Sequence, residues 1–355
     1  MVREMTILRL SQTIATCGAL LATAPLAQAA LANTVGAAAL QTINIANPED
    51  LAPLDDHRMI VSSLAGGGHA AGALVLLDTR TGKVDLLPTI AADPGTAPHD
   101  GCDEGPVADS ALKPHGIAIW NNPRGGRYLY VVNHGQRESV EIYRLILGSR
   151  PRLVWQTCAV FPKGGFGNAV AVKRDGSFYT TNEGTQLDGS PPLTMFGGEV
   201  ISWRNGHGWT AVAGSRVEGA NGLLLSPDEK TLFIAGWPAA KVVAVTMNDP
   251  EPTVRSLTLP FLPDNLRWGA GGKIYATGHR TSVETVADCF LSPRPTCSIS
   301  SSMAQIDPAS VTMDCVRDVP IDMATSTVAM RGRLWVGSAR ATHLAAMAGP
   351  ACPNR

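Results

Sequence analysis

The sequence predicts an all-β chain folded as a six-bladed β-propeller, and three observations lead there. Gly 36 and Pro 25 in 355 residues are too frequent for a helical bundle and are dispersed as turn punctuation. Short apolar strands alternate with those turns along the chain. A strand-turn-strand plan opening on a polar residue also recurs: from His115 to Asn168 is 53 positions, from Asn168 to Asn221 is 53, from Asn221 to Asp264 is 43, and from Asp264 to Thr327 is 63. A repeat of roughly 40 to 50 residues with several strands is the pattern of a propeller blade.

Before the repeats, Arg3 and Arg9 precede an Ala/Leu-rich run that ends in Ala27-Gln28-Ala29, the charged, apolar and small-x-small order of a cleaved secretory signal. The run is short and broken by Pro25, whereas a spanning helix needs roughly 20 apolar residues. The expected division is therefore a signal over 1–32 and one propeller domain over 33–355. The mature chain is expected to be a periplasmic or secreted monomer with no membrane anchor. A formal net charge of -1 without any Lys/Arg cluster removes the electrostatic basis for nucleic-acid binding. Export makes disulfides the default for Cys102, Cys158, Cys289, Cys297, Cys315 and Cys352. Cys289 and Cys297 bracket a Pro-containing loop and are the best pair. The other four allow three pairings, of which Cys102 with Cys158 and Cys315 with Cys352 join chain neighbours.

The first unit runs from Pro48-Glu49-Asp50-Leu51 through Met59–Ser63 and Ala73–Asp78. A Pro/Gly/Asp-rich surface loop follows from Thr89 to Lys113. Its acids Asp100, Asp103 and Glu104 are read as solvated. The five copies then begin at His115-Gly116, Asn168, Asn221-Gly222, Asp264-Asn265 and Ser326-Thr327, each with its polar residue placed just before the first strand of the blade. With the Glu49 unit they make six blades, and the ring must close the first on the last.

Radial symmetry should gather Glu49, His115, Asn168, Asn221, Asp264 and Asn265 at one mouth of the central channel. For any single copy these are ordinary turn residues; their coincidence across copies is what points to a site. Two carboxylates with three side-chain amides form a hard oxygen set, suited to calcium with about six to eight ligands. Zinc prefers His or Cys, and magnesium a tighter octahedron.

The motifs Glu49-Asp50-Leu51, Pro114-His115-Gly116-Ile117, Val131-Val132-Asn133-His134, Asn168, Ala220-Asn221-Gly222 with Ser226-Pro227-Asp228, Asp264-Asn265 and Ser326-Thr327-Val328-Ala329 stand in one order. In this the chain resembles the paraoxonase family of calcium-dependent lactonases and arylesterases, close to the senescence-marker and gluconolactonase propellers. The resemblance implies a carboxylic-ester hydrolase acting on a small lactone or ester. It makes Glu49, Asn168, Asn221, Asp264 and Asn265 ligands of a catalytic Ca2+, and His115 with His134 a histidine dyad. His115 would act as general base, with His134 orienting or relaying; a ligand carboxylate such as Asp264 is the alternative base. A second, inner calcium would use Asp50 and an Asp after Asn168, but Ala169 stands there. In the animal enzymes of the family a disulfide between the two chain ends closes the ring; once Cys17 leaves with the signal, Cys352 has no N-terminal partner, so strand pairing or another disulfide must close it. Two other functions fit the same ligands: a sugar-lactone hydrolase of the gluconolactonase type, and a non-catalytic exported propeller whose metal stiffens a binding face. His57, His69, His99, His207, His279 and His343 lie outside the motifs and are read as structural.

Overall fold

The structure is a computed structural model; it describes residues 40–64, 70–91, 102, 104–190, 197–248 and 250–352. The chain divides into Met1–Ala37 and the propeller unit Ala38–Arg355. The expected signal lies outside the described residues, as do His69, His99, Asp100 and Asp103.

Six sheets form the six-bladed β-propeller that the repeat predicts. Their innermost strands are Pro48–Pro53, Pro114–Asn121, Gly167–Val172, Ala220–Leu225, Leu262–Trp268 and Ala324–Met330, and they define blades one to six. Each blade is an antiparallel meander. Blade two carries an extra strand, Thr89–Ile90, which runs parallel to Arg152–Val160 within the segment expected to be a loop. Ring closure comes from strand pairing. Gln41–Ile43 adds to the C-terminal strand Leu344–Ala348, with Thr42 opposite Ala345, and the Asn47 backbone N–H donates to Ala341 O at 2.7 Å.

The middle strands are largely apolar along their centres because both of their faces are buried. In Arg58–Ser63, Met59 and Val61 pack towards blade six while Ile60 packs towards blade two. In Thr231–Gly236, Leu232 and Ile234 face blade three while Phe233 and Ala235 face blade five. This period of two supplies an apolar cluster to every junction between blades. The expected Cys289–Cys297 disulfide is present, and of the three pairings open to the other four cysteines the structure has Cys102–Cys158 and Cys315–Cys352.

The segment before Cys297 departs from the all-β expectation. Val283–Leu291 is an α-helix, capped by Ser282, whose side chain accepts from the Thr285 backbone N–H. Val286 and Cys289, three positions apart, form its buried face and pack on Leu262 and Met323. The disulfide ties the helix to the segment ahead of the next strand, Ser301–Asp307.

Each innermost strand also carries a β-bulge at the same place. The register slips by one residue between Pro48 and Asp50, Pro114 and Ile117, Gly167 and Val170, Ala220 and Leu223, Pro263 and Leu266, and Ala324 and Thr327. The polar residues therefore lie inside the strands, at the bulges, and not ahead of them as the sequence suggests. In blade six the equivalent pair is Thr325-Ser326, so counting to Thr327 overshoots. A bulge bends its strand and re-aims a side chain, and six of them turn polar groups towards the axis.

Candidate active site

The six bulges meet at one mouth of the channel, in a cavity of about 690 Å³ lined by Glu49, His115, Asn168, Asn221, Asp264 and Thr325 among others. Asn265 joins them from the far side: its Nδ2 donates to Glu49 Oε1 at 2.7 Å, linking blades five and one across the axis. The approach is close because two bulges contain glycine. A Cβ on Gly116 would lie 2.3 Å from Asn168 O, and one on Gly222 would lie 2.4 Å from Asp264 O. Neighbouring inner strands could not come so near with any larger residue.

The donor set leaves acceptors over. Glu49 Oε2, Asn168 Oδ1, Asn221 Oδ1 and Asn265 Oδ1 are all buried, and the protein offers none of them a hydrogen-bond donor. Buried polar atoms are nearly always paired, so four such oxygens at one mouth are what a cation would satisfy. The carboxyls give the same message. Glu49 is pushed well above the usual range by burial, reinforced by the charges of Asp50 and Asp264. Asp264 is raised by burial and by Glu183 and Asp50. Glu183 itself is lifted to about 7 by burial. A cation among them would relieve both burial and repulsion, and an all-oxygen set of this kind fits calcium.

Beside this set stands a line of hydrogen-bonded groups. His115 Nε2 is 3.6 Å from Glu49 Oε1, its Nδ1 is 2.9 Å from His134 Nε2, and His134 Nδ1 is 2.8 Å from Glu138 Oε2. Phe166 stacks on the His134 ring at 4.3 Å and holds its plane. Burial, and then the adjacent His134, push the His115 value well below its ordinary one, which favours the neutral imidazole.

The structure thus brings together all seven residues singled out from the sequence. It also adds three that sequence reading missed. Glu183 accepts from Asn168 Nδ2 at 3.0 Å. Glu138 ends the histidine line. His279, expected to be structural, lines the same cavity with Nε2 3.6 Å from Asp264 Oδ2, and its buried ring is depressed to about 4. Glu183 and His279 follow or end the second strands of blades three and five, so only the antiparallel pairing places them beside the bulges. One signal was available: both sit in the chain one hairpin after a polar bulge residue.

An axial set of buried oxygens at the mouth of six blades, next to a histidine line, defines a hydrolase-type propeller. Residues 47–312, about three quarters of the chain, match the arylesterase family, and the chain belongs to that family. A comparison with curated proteins gave no significant match. Solved structures show the same fold at low identity. The luciferin-regenerating enzyme is 11% identical with a TM-score of 0.54, over 88% of this chain and 95% of that one. A gluconolactonase-like protein is 15% identical with a TM-score of 0.53, over 88% and 93%. The PQQ-bound aldose sugar dehydrogenase of Streptomyces coelicolor is 13% identical with a TM-score of 0.51, over 87% and 98%. The three disulfides fit an extracellular protein, and no described helix is long and apolar enough to cross a membrane.

Proposed function

We propose that the chain is a calcium-dependent hydrolase of lactones or aryl esters. The observation that carries this reading is the set of four donorless oxygens, on Glu49, Asn168, Asn221 and Asn265, beside the His115 line. Glu49, Asn168, Asn221, Asp264 and Asn265 would hold the ion, which when bound supplies Lewis-acid polarisation of the substrate carbonyl.

The proton chemistry belongs to the chain's own residues. A Glu138 carboxylate accepts from His134 Nδ1–H, which leaves His134 Nε2 as an acceptor. His115 then donates through Nδ1–H to it, so His115 Nε2 carries the lone pair on the Glu49 side. That atom takes the proton of the attacking water, and the charge formed is shared along the line to Glu138. Asp264 is the weaker base because it is committed to the ion.

The cavity wall favours an apolar acyl or aryl group over a sugar. Phe166, Trp237, Val286, Phe290 and Leu291 line it, and the helix Val283–Leu291 lays its apolar residues over the mouth. A panel of phenyl acetate, alkyl-substituted γ- and δ-lactones and gluconolactone, each with chelator and with calcium restored, tests the reading. Turnover of the first two classes that vanishes on chelation and returns with calcium supports it. Activity that survives complete removal of metal sinks it.

A further inference from the structure

Below the mouth, the channel holds a charge arrangement that the family resemblance does not lead one to expect. Arg267, two residues past Asn265 on the innermost strand of blade five, reaches across the axis. Its Nη2 pairs with Asp50 Oδ2, and also donates to Ile117 O at 3.2 Å. Its Nε donates to Leu51 O at 2.9 Å. One guanidinium thus joins blades one, two and five. Asp50, fully buried, has both oxygens engaged: Oδ1 accepts from the Leu51 N–H at 2.8 Å and Oδ2 from the Ile117 N–H at 2.9 Å.

An inner calcium, implied by the resemblance, does not fit these residues. Ala169 supplies no side-chain oxygen, and Asp50 Oδ2 already faces the Arg267 guanidinium as well as the Ile117 N–H. The positive charge in the channel is covalently part of the chain.

We propose that Arg267 takes the place of an inner metal ion, tying three blades together through Asp50, so that no metal binds at Asp50. A planar guanidinium with several directed donors suits this better than a point charge. The role of Arg267 stands whether or not the mouth binds an ion.

The test combines calcium counting with melting on the full mature chain in saturating calcium. Wild type and the isosteric Asp50→Asn variant should bind equal numbers of calcium ions by equilibrium dialysis. Arg267→Met should lower Tm by roughly 5–8 °C, as loss of one partner of a buried pair does. Asp50→Asn with Arg267→Met should cost clearly less than the sum of the two singles, because neither charge is then left alone. Arg267→Lys, which keeps the charge, should recover part of the Tm and remains readable if the Met variant fails to fold. Loss of one ion on Asp50→Asn would overturn the proposal, as would additive Tm shifts. A wild type that binds no calcium but shows the coupled Tm shifts would sink the mouth as a metal site while upholding Arg267.

Discussion

Glu138 Oε2 lies 2.8 Å from His134 Nδ1, and this contact sets the protonation of an atom two hydrogen bonds away. A carboxylate can only accept, so it fixes the proton on His134 Nδ1 and leaves His115 Nε2 free to act as a base. Glu138→Leu removes that constraint, and kcat for phenyl acetate should fall about 10–100-fold with KM little changed. Glu138→Gln can still accept and should lose less. Equal losses in the two variants, or a change confined to KM, would refute the orienting role.

The donorless oxygens predict where the metal affinity resides. Asn221→Ala deletes one of the four without touching the His115 line, and Glu49→Gln removes a charge from the set. Both should weaken calcium binding measured by titration calorimetry, and activity should fall with occupancy. Activity lost at full occupancy would contradict the assignment of these side chains as ligands.

The pH dependence of the metal-free protein follows from its carboxyls. Burial lifts Glu183 from 4.5 to about 7, and Glu49 and Asp264 move in the same direction. A carboxyl raised in the folded state binds its proton more tightly there. Its stabilising contribution is complete below the unfolded value and is lost as pH rises through the folded one. With chelator, Tm should therefore decline from about pH 4.5 upward through 7. Saturating calcium, which replaces protons as the counter-charge, should flatten that decline. A chelated Tm that rises over the same window would contradict the picture.

Close approach of blades four and five rests on Gly222. A methyl group there would meet the Asp264 carbonyl at 2.4 Å and Asn265 Cα at 2.7 Å, both of them backbone. Gly222→Ala should destabilise by about 1–3 kcal/mol in denaturant titration. It should weaken calcium binding too, because Asp264 and Asn265 are the groups displaced. A variant with unchanged stability would show that the strands can separate freely.

The helix at the mouth should govern acyl preference. Leu291 is 82% exposed, so Leu291→Ser changes little packing and Tm should hold. Loss of its contact with a long acyl chain, worth about 1 kcal/mol, should raise KM roughly fivefold for long-chain lactones. Phenyl acetate, too short to reach it, should be unaffected. A uniform rise across both would place the effect elsewhere.

Much of the fold was legible because a propeller is periodic. Asn168 and Asn221 stand 53 positions apart, and strands such as Thr231–Gly236 are apolar on both faces because each lies between two neighbours. The mouth residues were legible for the same reason, since equivalent positions in a ring converge. The helix Val283–Leu291 was not: its nine residues carry one short buried face and run into the stretch between Cys289 and Cys297 that reads as a Pro-containing loop. Glu138, Glu183 and His279 were hidden because no motif of their own marks them; for the last two the one signal was their place a hairpin after a polar bulge residue. Glu183 and His279 reach the site through hairpin pairing, a contact made between strands, and Glu138 through the turn that brings it back onto His134.

The sequence by itself determined the blades, the ring and the polar residue that every blade sends to the axis, because strand period, turn residues and repeat length are local properties. Only the tertiary structure decided what those residues do together. The bulges turned them inward, the antiparallel partners brought Glu183 and His279 beside them, and Arg267 crossed the channel to neutralise Asp50. Electrostatics acts through space, so the buried charges of one small volume could be balanced only after six distant segments had been folded into it.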